Sequence, residues 1–162
     1  MTGRHLAQIN IGRLVAPVDD PRVREFMDNL DRVNGVAERL PGYVWRLQSD
    51  IGNATDLPLS AEDPQFISNI SVWEDIASFE QFVWNTVHRQ FYERKHEWFE
   101  AVTDQHFAMW WVPIGHRPTQ EEGMDRLALL RERGDSDQAF GWSYLAEARL
   151  WRTRNCSHLA AE

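Results

Sequence analysis

The chain has a single cysteine, Cys156, so no disulfide can close within it and no site built from several cysteines can hold zinc. No apolar run approaches the ~18 residues that a membrane span requires. The opening MTGRHLAQ lacks the apolar core of a secretion signal, and a soluble, cytoplasmic protein is expected. Positive charge is also scarce. Lys and Arg number 17 against 25 Asp and Glu, a formal charge of −8, and the basic residues are dispersed. That balance argues against a nucleic-acid phosphate as the main partner. The sequence contains no GxSxG, P-loop, GxGxxG or HExxH pattern, which removes the commonest signals for serine hydrolases, nucleotide phosphates, dinucleotides and helix-borne zinc. Internal repeats and low-complexity segments are absent as well.

What is present suits one globular domain: 162 residues, 43% of them hydrophobic, with eight tryptophans. Most of those tryptophans belong to a core or subunit contact, yet so many in a short chain also suit a cavity with aromatic walls. The most informative stretch runs from Asn69 to Phe99. It begins as a strand, and from Asp75 the apolar positions Ile76, Phe79, Phe82, Val83, Val87, Phe91, Trp98 and Phe99 take up helical spacing. Asp75 or Ser78 can cap this helix, and the weak helix formers Asn85 and Thr86 predict a break near its middle, with His88 opening the second piece.

Before it, His5 to Ile11 reads as a strand that alternates between Ala7, Ile9 and Ile11 on one face and Leu6, Gln8 and Asn10 on the other. Asp20-Pro21 starts a helix with Phe26, Leu30, Val33, Ala37 and Leu40 as its stripe, and Pro41-Gly42 stops it. Tyr43 to Gln48 is a second strand, with Tyr43, Trp45 and Leu47 on one side. Residues 49–65 form a long loop expected to cover something. His106 to Val112 supplies the fourth strand. The order β-α-β-β-α-β predicts a ferredoxin-like α+β sheet with both helices on one face, over residues 1–118. Thr119 and Glu122 then make a capping box for a third helix ending at Gly134, so residues 119–162 are expected to form a helix and tail packed on the same domain, with a further helical turn or two between Tyr144 and Trp151.

If the sets Ala7-Ile9-Ile11, Tyr43-Trp45-Leu47 and Ile70-Val72 face the two helices, the opposite sheet face carries Gln8, Asn10, Arg46, Gln48, Asn69, Ser71 and Trp73. Amides, a hydroxyl, a guanidinium and a large aromatic are groups that hold a ligand, whereas Lys and Glu would be the usual occupants of a solvated face. The simpler explanation is a merely wet sheet face. The preferred one pairs two such faces across a homodimer to form a barrel whose cavity these residues line.

The segments NISVWE, the His88 helix with EWF at 97–99, WWVPIGHRPT at 110–119 and LLRERGDSDQAF at 129–140 resemble the bacterial family called domain of unknown function 3291, over about Leu6 to Trp142. WWVPxGxxPT is the most specific part. The resemblance implies a branch of the dimeric α/β-barrel superfamily, which also holds antibiotic-biosynthesis monooxygenases and haem-degrading enzymes. It implies the fold and the dimer and leaves the reaction open, because one scaffold serves many chemistries.

The expected function is that of a small-molecule enzyme of secondary metabolism that binds an aromatic or polyketide-like substrate without a cofactor, with oxygenase-, cyclase- or isomerase-like chemistry. His88 is the candidate general base, with Arg46 and Asn69 stabilising an enolate. Gln8, Asn10, Gln48, Ser71, Trp73, Tyr92, Trp98 and Trp110 are the candidate substrate-binding residues. No metal ligand set is proposed. Two alternatives stay open: a non-catalytic ligand-binding module, and a haem protein in which His88 ligates iron, as a helix-borne histidine does in the haem-degrading enzymes.

Overall fold

A computed structural model describes residues 3–50, 52, 54–146 and 148. Cys156 and the expected turns beyond Ala148 lie outside the described residues. Four strands, β1 (Arg4–Arg13), β2 (Tyr43–Arg46), β3 (Phe66–Trp73) and β4 (Phe107–Pro113), form one antiparallel sheet in the order β2-β3-β1-β4. Helix α1 (Arg24–Arg39) joins the first two strands, and α2 (Ile76–Asn85) with α3 (Val87–Glu93) joins the last two, which is the ferredoxin-like arrangement. Among the described residues no helix is long and apolar enough to cross a membrane.

The helix boundaries follow local chemistry. Asp75 accepts from the Ser78 amide to start α2. At Thr86 the backbone becomes extended, and its hydroxyl accepts from the His88 amide at 3.2 Å while donating to the Phe82 carbonyl at 2.5 Å. One threonine thus closes α2 and caps α3, so the break expected at Asn85-Thr86 is real. Helix α4 (Gln120–Arg133) is capped by Thr119 and ends at Gly134, whose φ of 74° suits a residue without a Cβ.

Both faces of the sheet are covered, and the coverage reverses the expected facing. Leu6, Trp73 and Met109 form one cluster with Phe79, Phe82 and Val83 of α2 and Ala37 of α1. Ala7, Ile9, Ile11, Ile70, Val72 and Trp110 form another with Leu127 and Leu130 of α4, completed by Leu59. The apolar set assigned to α1 and α2 therefore packs under α4 and the 49–65 loop. The polar set carried by Gln8 and Ser71 faces the α1–α2 layer instead. Alternation alone cannot say which face meets which helix when a third helix supplies a second cover. Gly123 allows the close approach: a Cβ there would stand 2.8 Å from Ile9 Cδ1 and 3.1 Å from Ile70 Cδ1.

Strand β2 needs a second correction. Its register shifts between Tyr43 and Trp45, so Tyr43 pairs with Trp73 on the inner face while Trp45 pairs with Val72 and turns outward. A bulge separates two residues that strict alternation would keep together. On the inner face Trp73 is fully buried within its own chain, and Gln8 and Ser71 are nearly so. Phe140 exchanges two backbone hydrogen bonds with Met109 and sits in the same core, which fastens the start of the C-terminal segment to β4.

Candidate functional site

Along the inner face the central strand pair carries, in register, Leu6 opposite Trp73, Gln8 opposite Ser71, Asn10 opposite Asn69 and Gly12 opposite Ile67. The first pair lies under α2. At the other end, Ile67 joins Leu14, Val23 and Trp98, while Phe26, Phe91 and Phe99 close in around them, with Phe99 against Gly12. Between these two aromatic clusters lies a polar band. Gln8 is 4% and Ser71 7% exposed, while Asn10 and Asn69 are open to solvent, so the helix layer has a gap above the two asparagines. We call this gap the trough.

The band is wired together. Gln8 Nε2 donates to Asn69 Oδ1 at 2.9 Å and to Ser71 Oγ at 2.8 Å, and Trp73 Nε1 donates to the same hydroxyl at 2.9 Å. Buried amide and hydroxyl groups are tolerated here because they satisfy one another. Gln8, Ser71 and Trp73, expected to touch substrate, are instead the sealed support of Asn69.

His88 stands one ring away from this network. The Phe82 ring lies 5.3 Å from that of Trp73 and 4.6 Å from that of His88, and Tyr92 stacks on the imidazole from 6.2 Å. His88 Nδ1 approaches the Val83 carbonyl at 3.4 Å. Burial pushes its pKa down from 6.5 to about 4, against the weaker opposing effect of that carbonyl. The residue as a whole is half-buried, and the desolvation falls on its ring. At neutral pH it is an uncharged imidazole able to take a proton.

The other expected site residues divide. Arg46 lies on the inner face, but Nε binds Glu38 at 2.8 Å and Nη2 binds the Gly52 carbonyl at 3.0 Å. It ties β2, α1 and the following loop together and is not presented to a ligand. Gln48 lies past the end of β2 and is exposed. Trp98 belongs to the aromatic cluster at the far end of the trough. Trp110 is on the outer face, fully buried, with its indole N–H on Glu122 Oε1 at 3.0 Å. It therefore cannot share a ligand with Asn69. The reason is register: Trp110 stands opposite Ala7, an outer-face residue.

Among the described residues no three metal-ligating side chains converge. Two shallow clefts of about 350 and 450 Å³ lie elsewhere. The first is lined by Arg13, Glu100 and Arg131, and the second touches the α2–α3 joint at Trp84, Thr86 and Arg89 without including His88. Two features had no sequence signal: the Phe82 ring between Trp73 and His88, and the engagement of Arg46 by Glu38. Both depend on how separate elements meet.

The element order and inner band define an α+β protein of ferredoxin-like fold with an added helix on the far sheet face. The chain belongs to the family described as domain of unknown function (DUF3291), which matches residues 5–156. No curated protein matches the chain. It is similar in fold to a conserved protein from Methanosarcina mazei Go1, at 14% identity and a TM-score of 0.49 over 67% of this chain and 93% of that one. It is likewise similar to a proposed antibiotic biosynthesis monooxygenase from Chloroflexus aurantiacus J-10-fl, at 16% identity and a TM-score of 0.43 over 70% and 97%. Likenesses at this level describe the fold alone.

Proposed function

We propose that the chain is a small-molecule enzyme that holds a flat aromatic or polyketide-like compound in the trough and works without a cofactor. Asn10 and Asn69 meet the ligand's polar edge, the flanking aromatic clusters meet its ring, and His88 takes the proton. The observation that carries this reading is the inner band itself, two exposed asparagines set between two aromatic clusters. His88, packed on Phe82 one ring from that band, is uncharged at neutral pH because burial lowers its pKa, so its lone pair is free for a proton although it is a weaker base than an ordinary imidazole. Oxygenase-, cyclase- and isomerase-like outcomes all begin with such a deprotonation.

A second reading is a non-catalytic binding module. It is favoured by Phe82, which stands between His88 and the network of Trp73, Ser71 and Gln8. The experiment is turnover of enolisable bicyclic ketones and phenols by the purified protein and by His88→Ala. Turnover lost in the variant supports the enzyme, and binding without turnover in either supports the module. An absorption spectrum of the protein as purified tests the haem alternative, for which a Soret band is required.

A further inference from the structure

The hydrogen bonds of the inner band have a direction, and the direction limits what the trough can hold. Gln8 Nε2 gives its two hydrogens to Asn69 Oδ1 and Ser71 Oγ. Ser71 Oγ also receives the Trp73 indole hydrogen, so both of its lone pairs are occupied. With the Asn69 carbonyl oxygen turned to Gln8, the other branch of that group, Nδ2 with two hydrogens, points away from Gln8. Asn69 is exposed while Gln8 is sealed, so away from Gln8 means toward the trough. Asn10, directly opposite, has no side-chain partner among the described residues and can adapt either end to a ligand. The fixed member of the pair therefore offers donors.

We infer that the trough selects ligands presenting a hydrogen-bond-accepting oxygen, such as the carbonyl of a flat ketone or the oxyanion of an enolate or phenolate, to Asn69 Nδ2, and that Gln8 is the positioning residue that sets this choice. The inference rests on reading the trough as a small-molecule site. A ligand whose polar atom is a donor would meet Asn69 hydrogens head-on and leave them unpaired, which is how a polar site rejects the wrong partner. Gln8 acts without touching the ligand. It is central to β1, nearly inaccessible, and holds Asn69 through one bond and Ser71 through the other.

The test uses the full chain labelled with ¹⁵N and two matched probes, tetralone, a bicyclic ketone, and tetralin, the same skeleton without oxygen. Side-chain amide signals of Asn10 and Asn69 report occupancy. The expected result is tetralone binding at least about tenfold tighter than tetralin, as one well-made hydrogen bond provides, with the Asn69 amide hydrogens shifting most. Asn69→Asp, at an exposed position where the oxygen facing Gln8 is kept, replaces donors by acceptors and should abolish the preference. In Gln8→Glu the carboxylate accepts from Asn69 and Ser71, so Asn69 turns its oxygen outward, and tetrahydroquinoline, whose N–H donates, should then bind better than tetralone. A Gln8 that is merely structural would lower the melting temperature without inverting this order. Equal affinity for tetralone and tetralin at the same two asparagines, unchanged in the variants, overturns the inference and leaves the trough as a binding site. No shift at either asparagine with any probe overturns both.

Discussion

Glu122 Oε2 lies 2.6 Å from His116 Nε2, and its other carboxylate oxygen accepts the indole hydrogen of Trp110 at 3.0 Å. One side chain of the first turn of α4 thus fastens the helix to β4 and to the turn that connects them. Glu122→Leu leaves a buried indole donor unsatisfied, a loss of about 1–3 kcal/mol. Glu122→Gln keeps an oxygen for Trp110 and should lose less than half as much. Urea denaturation midpoints of the two variants test this, and equal midpoints would refute it.

His88 makes stability depend on pH. Its folded pKa of about 4 is below the ordinary 6.5, so between these values the unfolded chain binds the proton and the folded chain resists it. Stability from this group is fully present above pH 6.5 and is lost as pH falls toward 4, by up to about 2–3 kcal/mol. His88→Gln should be flatter than the parent across that window. Denaturation at intervals from pH 7 to pH 4 measures the slope, and parallel curves would contradict the assignment.

Thr86→Ala removes both the cap on the His88 amide and the bond to the Phe82 carbonyl. The expected cost is about 1 kcal/mol, while Thr86→Ser retains most of it. Because the same hydroxyl fixes where α3 starts, the alanine variant should also broaden the His88 ring resonances. A sharp, unmoved His88 spectrum would show that α3 keeps its place without the cap.

Gly123→Ala tests the close approach of α4. Alanine is the better helix former by about 1 kcal/mol, but its methyl would press on Ile9 and Ile70 at 2.8 and 3.1 Å. Overpacking of this kind costs about 1–3 kcal/mol, so a net loss is expected. A raised melting temperature would mean that the two isoleucines yield easily.

Much of the fold was legible because its signals are local. Asp75, Thr86, Thr119 and Gly134 each mark a helix end through chemistry contained within a few residues. Sheet facing was not, because period two says only that Gln8 and Ile9 differ in side. Which side meets α1 depends on α4, more than a hundred residues downstream in the chain. The bulge at Tyr43–Trp45 likewise broke an alternation that looked regular. For the candidate site the shared sheet face was legible and the surroundings were not: Asn69 and Asn10 stand exposed on the inner face, Gln8 and Ser71 are buried beside them, and Arg46 binds a carboxylate that sequence spacing did not advertise.

Trp110, Pro118 and Glu122, drawn from the segment by which this chain most resembles its family and from the helix that follows it, lie on the outer face or at the α4 connection. The trough opens on the opposite side. Trp111, between Trp110 and Pro118 in sequence, alternates to the inner cluster, so this one segment pins both faces of the sheet at once.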